Sequence, residues 1–348
     1  MSAAAATRLQ HDQNRADRWE GNLDADHPSD PSERIRFYDY HPAPADVRAE
    51  VLEGLSRPQK RLPPKLFYDR RGSQLFDAIT ELPEYYPTRT EIGILSERGA
   101  EIAELLGRHK VLIELGSGSS LKIQTLLAAL QPQVYVPVDI SREHLLASAQ
   151  TLAARFTWLH IRAACADYSA PFTLPLESHW SNLTAFFPGS SIGNFDPQDA
   201  LRFLQRVAQM LGQGGRLLIG VDLRKQPELL HAAYNDAQGV TADFNLNLLV
   251  RINRELDADF DLDAFEHRAF FNADKSRVEM HLISLRDQKV HVGGQGFSFA
   301  RGESIHTECS YKYGIQDFHA LAADAGFRPE RVWTDSDQRF SVHALRVI

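Results

Sequence analysis

The chain has 348 residues, 43% hydrophobic and 24% charged, with a formal net charge of −8 at pH 7. That length supports one large domain or two smaller ones, each with a proper core, and the acidic balance gives no general attraction to nucleic acid or anionic membranes. Cys165 and Cys309 lie far apart without metal-ligand spacing, the N-terminus reads as lacking a signal peptide's apolar core, and no apolar run approaches the ~20 residues of a membrane helix; the expectation is a cytoplasmic protein without metal, membrane or nucleic-acid partners.

Residues 1 to about 40 are rich in Asp, Arg, Pro and Ser and poor in large apolar side chains. Such a stretch cannot bury enough surface to offset its ordering entropy, so residues 1–42 read as a disordered tail. From Asp46 the spacing of Val47, Val51, Leu52 and Leu55 predicts a helix. Two proline-punctuated segments follow, Leu62-Pro-Pro-Lys-Leu-Phe-Tyr-Asp69 and Leu82-Pro-Glu-Tyr-Tyr-Pro-Thr-Arg89, which read as loops or helix boundaries. Helices are expected over residues 75–79 and 92–106.

The rhythm changes at Lys110. Short apolar runs over 111–115, 134–139, 158–164, 183–187 and 216–223 read as buried strands, separated by helices near 123–130, 142–154 and 203–210. This alternation implies an α/β, doubly wound parallel sheet covered on both faces. After Leu223 it stops: residues 226–254 look largely helical, while 277–285, 288–292 and 304–311 look like strands, with a turn at Gly293-Gly-Gln-Gly296 and another strand segment after it. A helix over 315–325 and strands near Arg331 and over 341–347 return to the first pattern. The expected organisation is a doubly wound core of residues 107–224 and 315–348, interrupted between its fifth and sixth strands by an insertion spanning 225–314.

Glu114-Leu-Gly-Ser-Gly-Ser-Ser120 falls at a strand-to-helix turn. Gly116 and Gly118 remove the Cβ atoms that would keep a ligand from the backbone, and helix-start amides point into the cleft. A dinucleotide site would want a third glycine at position 121, which is Leu; the motif suits the amino-acid end of S-adenosylmethionine better, with Lys122 able to reach its carboxylate. Asp139 closes the next strand, where an acid can accept both ribose hydroxyls. Asp167 closes the third and can accept from an adenine amino group. The alternative is that the glycines only make a tight turn, the acids are solvated caps and Lys122 is a surface charge.

Phe186-Phe-Pro-Gly-Ser-Ser-Ile-Gly-Asn194 ends the fourth strand, so it faces the same crevice. Asn194 offers a donor and an acceptor to a zwitterionic amino-acid group, or else caps the helix beginning near Pro197. Tyr68, Tyr85, Tyr86 and Tyr234 carry hydroxyls able to hold a carboxylate or ammonium, although tyrosines are commonly packing residues. In Ser304-Ile-His-Thr-Glu-Cys-Ser-Tyr311, strand alternation puts Glu308 and Ser310 on one face and Cys309 on the other. The pair could hold the two nitrogens of an imidazole, or form a solvated polar stripe. Met280 is core by default.

With these residues in view, the chain from about Pro44 onward resembles the L-histidine Nα-methyltransferases of ergothioneine biosynthesis. The resemblance is carried by the two proline-rich segments, Glu114-Leu-Gly-Ser-Gly118, Gly189-Ser-Ser-Ile-Gly-Asn194, Ala233-Tyr-Asn-Asp-Ala-Gln-Gly-Val-Thr-Ala242 and Phe260-Asp-Leu-Asp-Ala-Phe-Glu-His267. It implies a Rossmann-like class I methyltransferase domain plus a substrate domain built from residues 43–106 and the insertion. It also implies trimethylation of L-histidine to hercynine with three S-adenosylmethionine molecules. Gly116, Gly118, Lys122, Asp139, Asp167 and Tyr168 would hold that cofactor. Tyr68, Tyr85, Gly189, Ser191, Asn194 and Tyr234 would surround the substrate's amine and carboxylate, with Tyr68 and Asn194 closest to catalysis. Glu308 and Ser310 would read the imidazole, with Met280 beside it. Ser191 stands where relatives often carry Thr, and Cys309 where an apolar residue is usual. No catalytic base is evident: Tyr68, or loss of the proton to water, could serve. A monomer is expected. Methylation of another amine such as a tryptophan derivative, or a non-catalytic cofactor-binding pathway partner, are the competing readings; a nicotinamide dehydrogenase is disfavoured by Leu121.

Overall fold

The computed structural model describes residues 31–40, 44–107, 111–118, 121–170, 174, 176–177, 180 and 183–348; residues 1–30 of the expected tail, and Ser119 and Ser120 of the glycine motif, lie outside them. The strands in chain order are β1 (Ile35–Asp39), β2 (Lys60–Arg61), β3 (Val111–Leu115), β4 (Val134–Asp139), β5 (His160–Cys165), β6 (Thr184–Phe187), β7 (Arg216–Asp222), β8 (Phe265–Asn272), β9 (Arg277–Ser284), β10 (Gln288–Val292), β11 (Gln295–Phe299), β12 (Ser304–Tyr311), β13 (Phe327–Thr334) and β14 (Phe340–Val347). Eight form one sheet in the order β1-β5-β4-β3-β6-β7-β14-β13, and β14 alone runs opposite to the other seven. The strand order reverses between β3 and β6, and ligands of such sheets bind beyond the carboxyl ends of the strands at that switch.

The central strands are apolar without alternation because both faces are covered: every residue of β3 and β6 is buried. One face packs on the helix Pro197–Leu211 and the other on the helices Leu121–Leu130 and Arg142–Arg155. Between β7 and β13 the chain leaves this sheet. It builds two helices, Pro227–Tyr234 and Val240–Leu256, then a four-stranded sheet in the order β2-β12-β9-β8 and the hairpin β10-β11. A third core joins these elements to the helices Pro44–Ser56, Arg70–Glu81 and the start of Tyr86–Leu106, with Phe67, Tyr86, Phe244, Leu248 and Leu282 at its centre.

The tail boundary needs correction. Residues 35–39 are a strand, not part of a disordered tail, and pair in parallel with β5. Arg34, 3% exposed, anchors it by donating to the carbonyls of Ala153, Phe156 and Leu159 at 2.7, 3.0 and 3.3 Å. Ile35 and Phe37 pack against the sheet. Five alternating residues among polar ones carry too weak a local pattern; the partner strand supplies the order. β8 also has no clear sequence signal, since its inward face includes His267, which bonds the Tyr234 carbonyl at 2.9 Å.

Candidate functional site

The turn after β3 opens one cleft, enclosing about 950 Å³ including its mouth. Gly116 has φ +72°, and a Cβ there would meet the Tyr168 ring at 3.3 Å; Gly118 has φ +47°. Both therefore need glycine's left-handed freedom. Asp139 is oriented by two backbone amides, Gly118 N to Oδ2 at 3.0 Å and Ser141 N to Oδ1 at 2.9 Å. Burial raises its carboxyl and those amides draw it back. Glu114, 1% exposed, is pushed well up by burial and accepts from the Tyr135 hydroxyl. This Gly116–Asp139 geometry fits a nucleoside cofactor: the backbone is bare where a ligand would approach, and an acid stands fixed at the next strand end.

Lys122 lines the same cleft. Its ammonium lies 2.7 Å from Glu91 Oε2, which also accepts from Gly189 N at 2.9 Å. Glu91 is fully buried and its other oxygen has no partner among the described residues. It thus ties the β3 side of the cleft to the loop after β6, where Gly189 has φ +78° and a Cβ would press on Lys122 Nζ at 3.3 Å. Asp167 faces a second cleft that shares Tyr68, Ile140, Tyr168 and Ser191 with the first. Its oxygens are engaged by Lys65 Nζ at 3.1 Å and Ser169 N at 2.9 Å, so an adenine amino group would share it with Lys65.

On the far wall, Tyr68 and Tyr85 line the first cleft. Burial raises both phenols well above their ordinary range, which keeps them protonated and makes Tyr68 a poor base at neutral pH. Tyr68 is held edge-on by Phe76 and Phe244 at 5.9 and 6.0 Å. Ser191 donates to the Pro188 carbonyl at 3.0 Å. Asn194 donates to Glu308 Oε1 at 2.9 Å instead of capping the next helix, whose N-terminal Asp196 makes no side-chain cap bond.

Glu308, Ser310, Tyr234 and Met280 form a layer behind that wall. None lines either cleft; they connect to it through Asn194 and through the Tyr85–Tyr234 ring contact at 6.5 Å. Glu308 pairs across the ladder with Met280, which is 2% exposed. Burial lifts the Glu308 carboxyl to about 7, with Lys312 and Asn194 pulling it back. Ser310 and Tyr234 each accept from Lys312, at 2.7 and 3.1 Å. Cys309 takes the opposite side, with its thiol on the Asn194 carbonyl at 3.5 Å. Tyr86 is engaged elsewhere, donating to Asp222 at 2.7 Å.

Three groups escaped sequence reasoning: Glu91, Asp222 and Lys312. Two had a signal. Asp222 closes β7 as Asp139 closes β4, and Lys312 continues the Glu308–Ser310 face, where a lysine is unexpected unless paired. The sheet's opposite face carries Glu279, His281 and His306, whose ligand atoms lie within 4.8 Å of one another. The two imidazoles stack at 21°, so their in-plane lone pairs run alongside and do not converge, and Arg277 already holds Glu279 at 2.8 Å. Among the described residues no helix is long and apolar enough to cross a membrane.

Comparison with known proteins agrees with this geometry. Residues 47–347 match the family described as histidine-specific, S-adenosylmethionine-dependent methyltransferases. The chain is 43% identical over 295 residues to the histidine N-alpha-methyltransferase of Mycolicibacterium smegmatis, spanning 83% of this chain and 91% of that protein. It is 42% identical over 302 residues to the Mycobacterium tuberculosis protein of the same name, spanning 85% and 93%. A 4-dimethylallyltryptophan N-methyltransferase of Claviceps purpurea is 28% identical over 331 residues, spanning 86% and 94%. The reversed strand order, the bare glycine turn with its fixed acid, and a match running almost from the first described helix to the last strand have one reading: this chain belongs to the S-adenosylmethionine-dependent, histidine-specific methyltransferases, with a Rossmann-like class I core.

Proposed function

We propose that this protein methylates the α-amine of L-histidine three times to give hercynine, the first step of ergothioneine biosynthesis, acting as a cytoplasmic monomer. The observation that carries the reading is the Asn194–Glu308 bond. It joins the loop beside the glycine turn to a carboxylate with Ser310 next to it on the same strand face, a pair suited to the two nitrogens of an imidazole. An indole has one ring N–H and would leave part of that pair without a partner, at a cost set by desolvation. Support for a reducing compartment is that Cys165 and Cys309 are both buried, in different sheets.

In this reading S-adenosylmethionine supplies an electrophilic methyl group on its sulfonium. Gly116 and Gly118 admit its amino-acid end, Lys122 holds the carboxylate, Asp139 takes the ribose hydroxyls, and Asp167 and Tyr168 border the adenine. Asn194 turns from Glu308 toward the substrate's amine and carboxylate, which opens the way to the layer behind. Tyr68 stays protonated and orients the amine, with Tyr85, Gly189, Ser191 and Tyr234 completing the enclosure. The amine's proton leaves to water before the cleft closes, and the protein's main contribution is alignment and water exclusion. Gly189, which lines the first cleft, leaves room for a tertiary amine at the third step, whereas Gly193 packs on the β12 backbone, where a Cβ would meet the Tyr311 carbonyl oxygen at 2.8 Å.

Incubation of the purified protein with methyl-labelled S-adenosylmethionine and a panel of amino acids tests this reading. Label on the α-nitrogen of histidine, accumulating to the trimethyl product, is expected. Preferential labelling of a tryptophan derivative would replace histidine as substrate, and cofactor binding without any transfer would favour a non-catalytic partner. Light scattering on the eluting protein tests the monomer.

A further inference from the structure

Lys312 directly follows β12 and is 2% exposed. Its ammonium has three N–H donors and three acceptors around it: Asp222 Oδ2 at 2.7 Å, Ser310 Oγ at 2.7 Å and the Tyr234 hydroxyl at 3.1 Å. An ammonium only donates, so Ser310 and Tyr234 accept here and their own protons must point elsewhere. Ser310 and Tyr234 are also hydrogen-bonded to each other, so one of their two protons lies within the pair and the other is left for a ligand.

Asp222 fixes the lysine in turn. It closes β7, is 1% exposed, and also accepts from Tyr86 and Lys225. Its backbone N donates to Ser190 Oγ at 2.8 Å, in the loop that carries Asn194. Two lysines on one carboxylate leave one excess positive charge here, which Glu308 balances when it is ionised. A second cation placed against Ser310 would meet that charge at short range, where repulsion is strong.

We propose that Lys312 is a positioning residue that, by donating to both Ser310 and Tyr234, leaves the pair one proton to offer, so that the site selects histidine with a neutral imidazole, its N–H on Glu308 and its bare nitrogen on the Ser310 hydroxyl. The inference rests on histidine being the substrate. In this arrangement Tyr234 donates to Ser310, and Ser310 donates to the imidazole. Lys312 also acts on Glu308. The groups that face this carboxylate are Asn194 after β6, Tyr68 in the 62–69 loop, Tyr85 at a helix start, Tyr168 after β5, Tyr234 at a helix end, Cys309 and Lys312. Burial raises all four phenols and the thiol, keeping them neutral. Lys312 is the cation among them, and its loss would raise the Glu308 carboxyl further.

The test compares the wild type with Lys312→Met, each saturated with S-adenosylhomocysteine and titrated with L-histidine. The variant should bind histidine about tenfold more weakly or worse, with little change for S-adenosylhomocysteine. The acid limb of its kcat/KM profile for histidine should move to higher pH, which a merely structural lysine would not cause. With imidazole-15N histidine bound to the wild type, nitrogen NMR should show one protonated and one bare ring nitrogen. Two protonated nitrogens would overturn the proposal, as would a variant with wild-type histidine affinity and an unmoved acid limb. If Lys312→Met does not fold, the wild-type spectrum still decides. A wild type that does not bind histidine overturns the substrate reading itself, and this inference with it.

Discussion

Replacing Glu308 by Gln keeps the side chain's shape and the oxygen that accepts the 2.9 Å bond from Asn194, but removes the charge. In the native protein burial lifts this carboxyl from its ordinary 4.5 to about 7. Between those values the folded state binds a proton that the unfolded chain has released. Its contribution to stability is therefore complete below about 4.5 and is lost as pH rises through about 7. A shift of ~2.5 pH units corresponds to ~3.4 kcal/mol, and because Glu308 is only partly buried, solvent screening brings this to ~1–2 kcal/mol. Gln does not titrate. In urea unfolding followed by circular dichroism, Glu308→Gln should nearly match the wild type at pH 5 and exceed it by that amount at pH 8. Catalysis should move the other way: losing a charge-assisted bond to the imidazole costs ~1.5–3 kcal/mol, a fall of roughly ten- to a hundredfold in kcat/KM for histidine. A variant less stable than the wild type at pH 8, with unchanged turnover, would refute the reasoning and make Glu308 a structural carboxylate.

Gly116→Ala forces an L residue to φ +72° and sets its Cβ 3.3 Å from the Tyr168 ring; the backbone alone costs ~1–2 kcal/mol, and calorimetry should find S-adenosylhomocysteine bound about tenfold more weakly. Tyr68→Phe keeps the edge contacts with Phe76 and Phe244 but loses the hydroxyl, so kcat/KM for histidine should fall about tenfold or more. Because burial holds that phenol protonated, the alkaline limb of the pH profile should stay where it is; a displaced limb would make Tyr68 the base. Arg34→Ala removes three bonds to buried carbonyls and should lower stability by ~2 kcal/mol, read as a drop in melting temperature with kcat unchanged.

Much of the core was legible because its signals are local. β3 and β4 appear in the sequence with their observed ends, since a strand buried on both faces reads as a continuous apolar run closed by glycine or an acid. The alternation implied a doubly wound sheet, but its strand order, with the reversal between β3 and β6, was decided only by pairing in the fold. β1 and β8 were not legible: one is five residues at an edge, the other turns a histidine inward, and each is ordered by the strand beside it.

The sequence by itself determined the cofactor side, because a bare turn and an acid at the next strand end are properties of contiguous residues. It also put Glu308 and Ser310 on one face, since alternation along a strand is local too. What only the tertiary structure decided is how those groups are charged and aimed. Asp222 and Lys312 are 90 residues apart in the chain and 2.7 Å apart in the fold, and Asn194 reaches Glu308 across 114 residues. Whether a carboxylate is ionised, or a hydroxyl donates, depends on burial and on neighbours brought in from distant segments, and a single sequence does not record them.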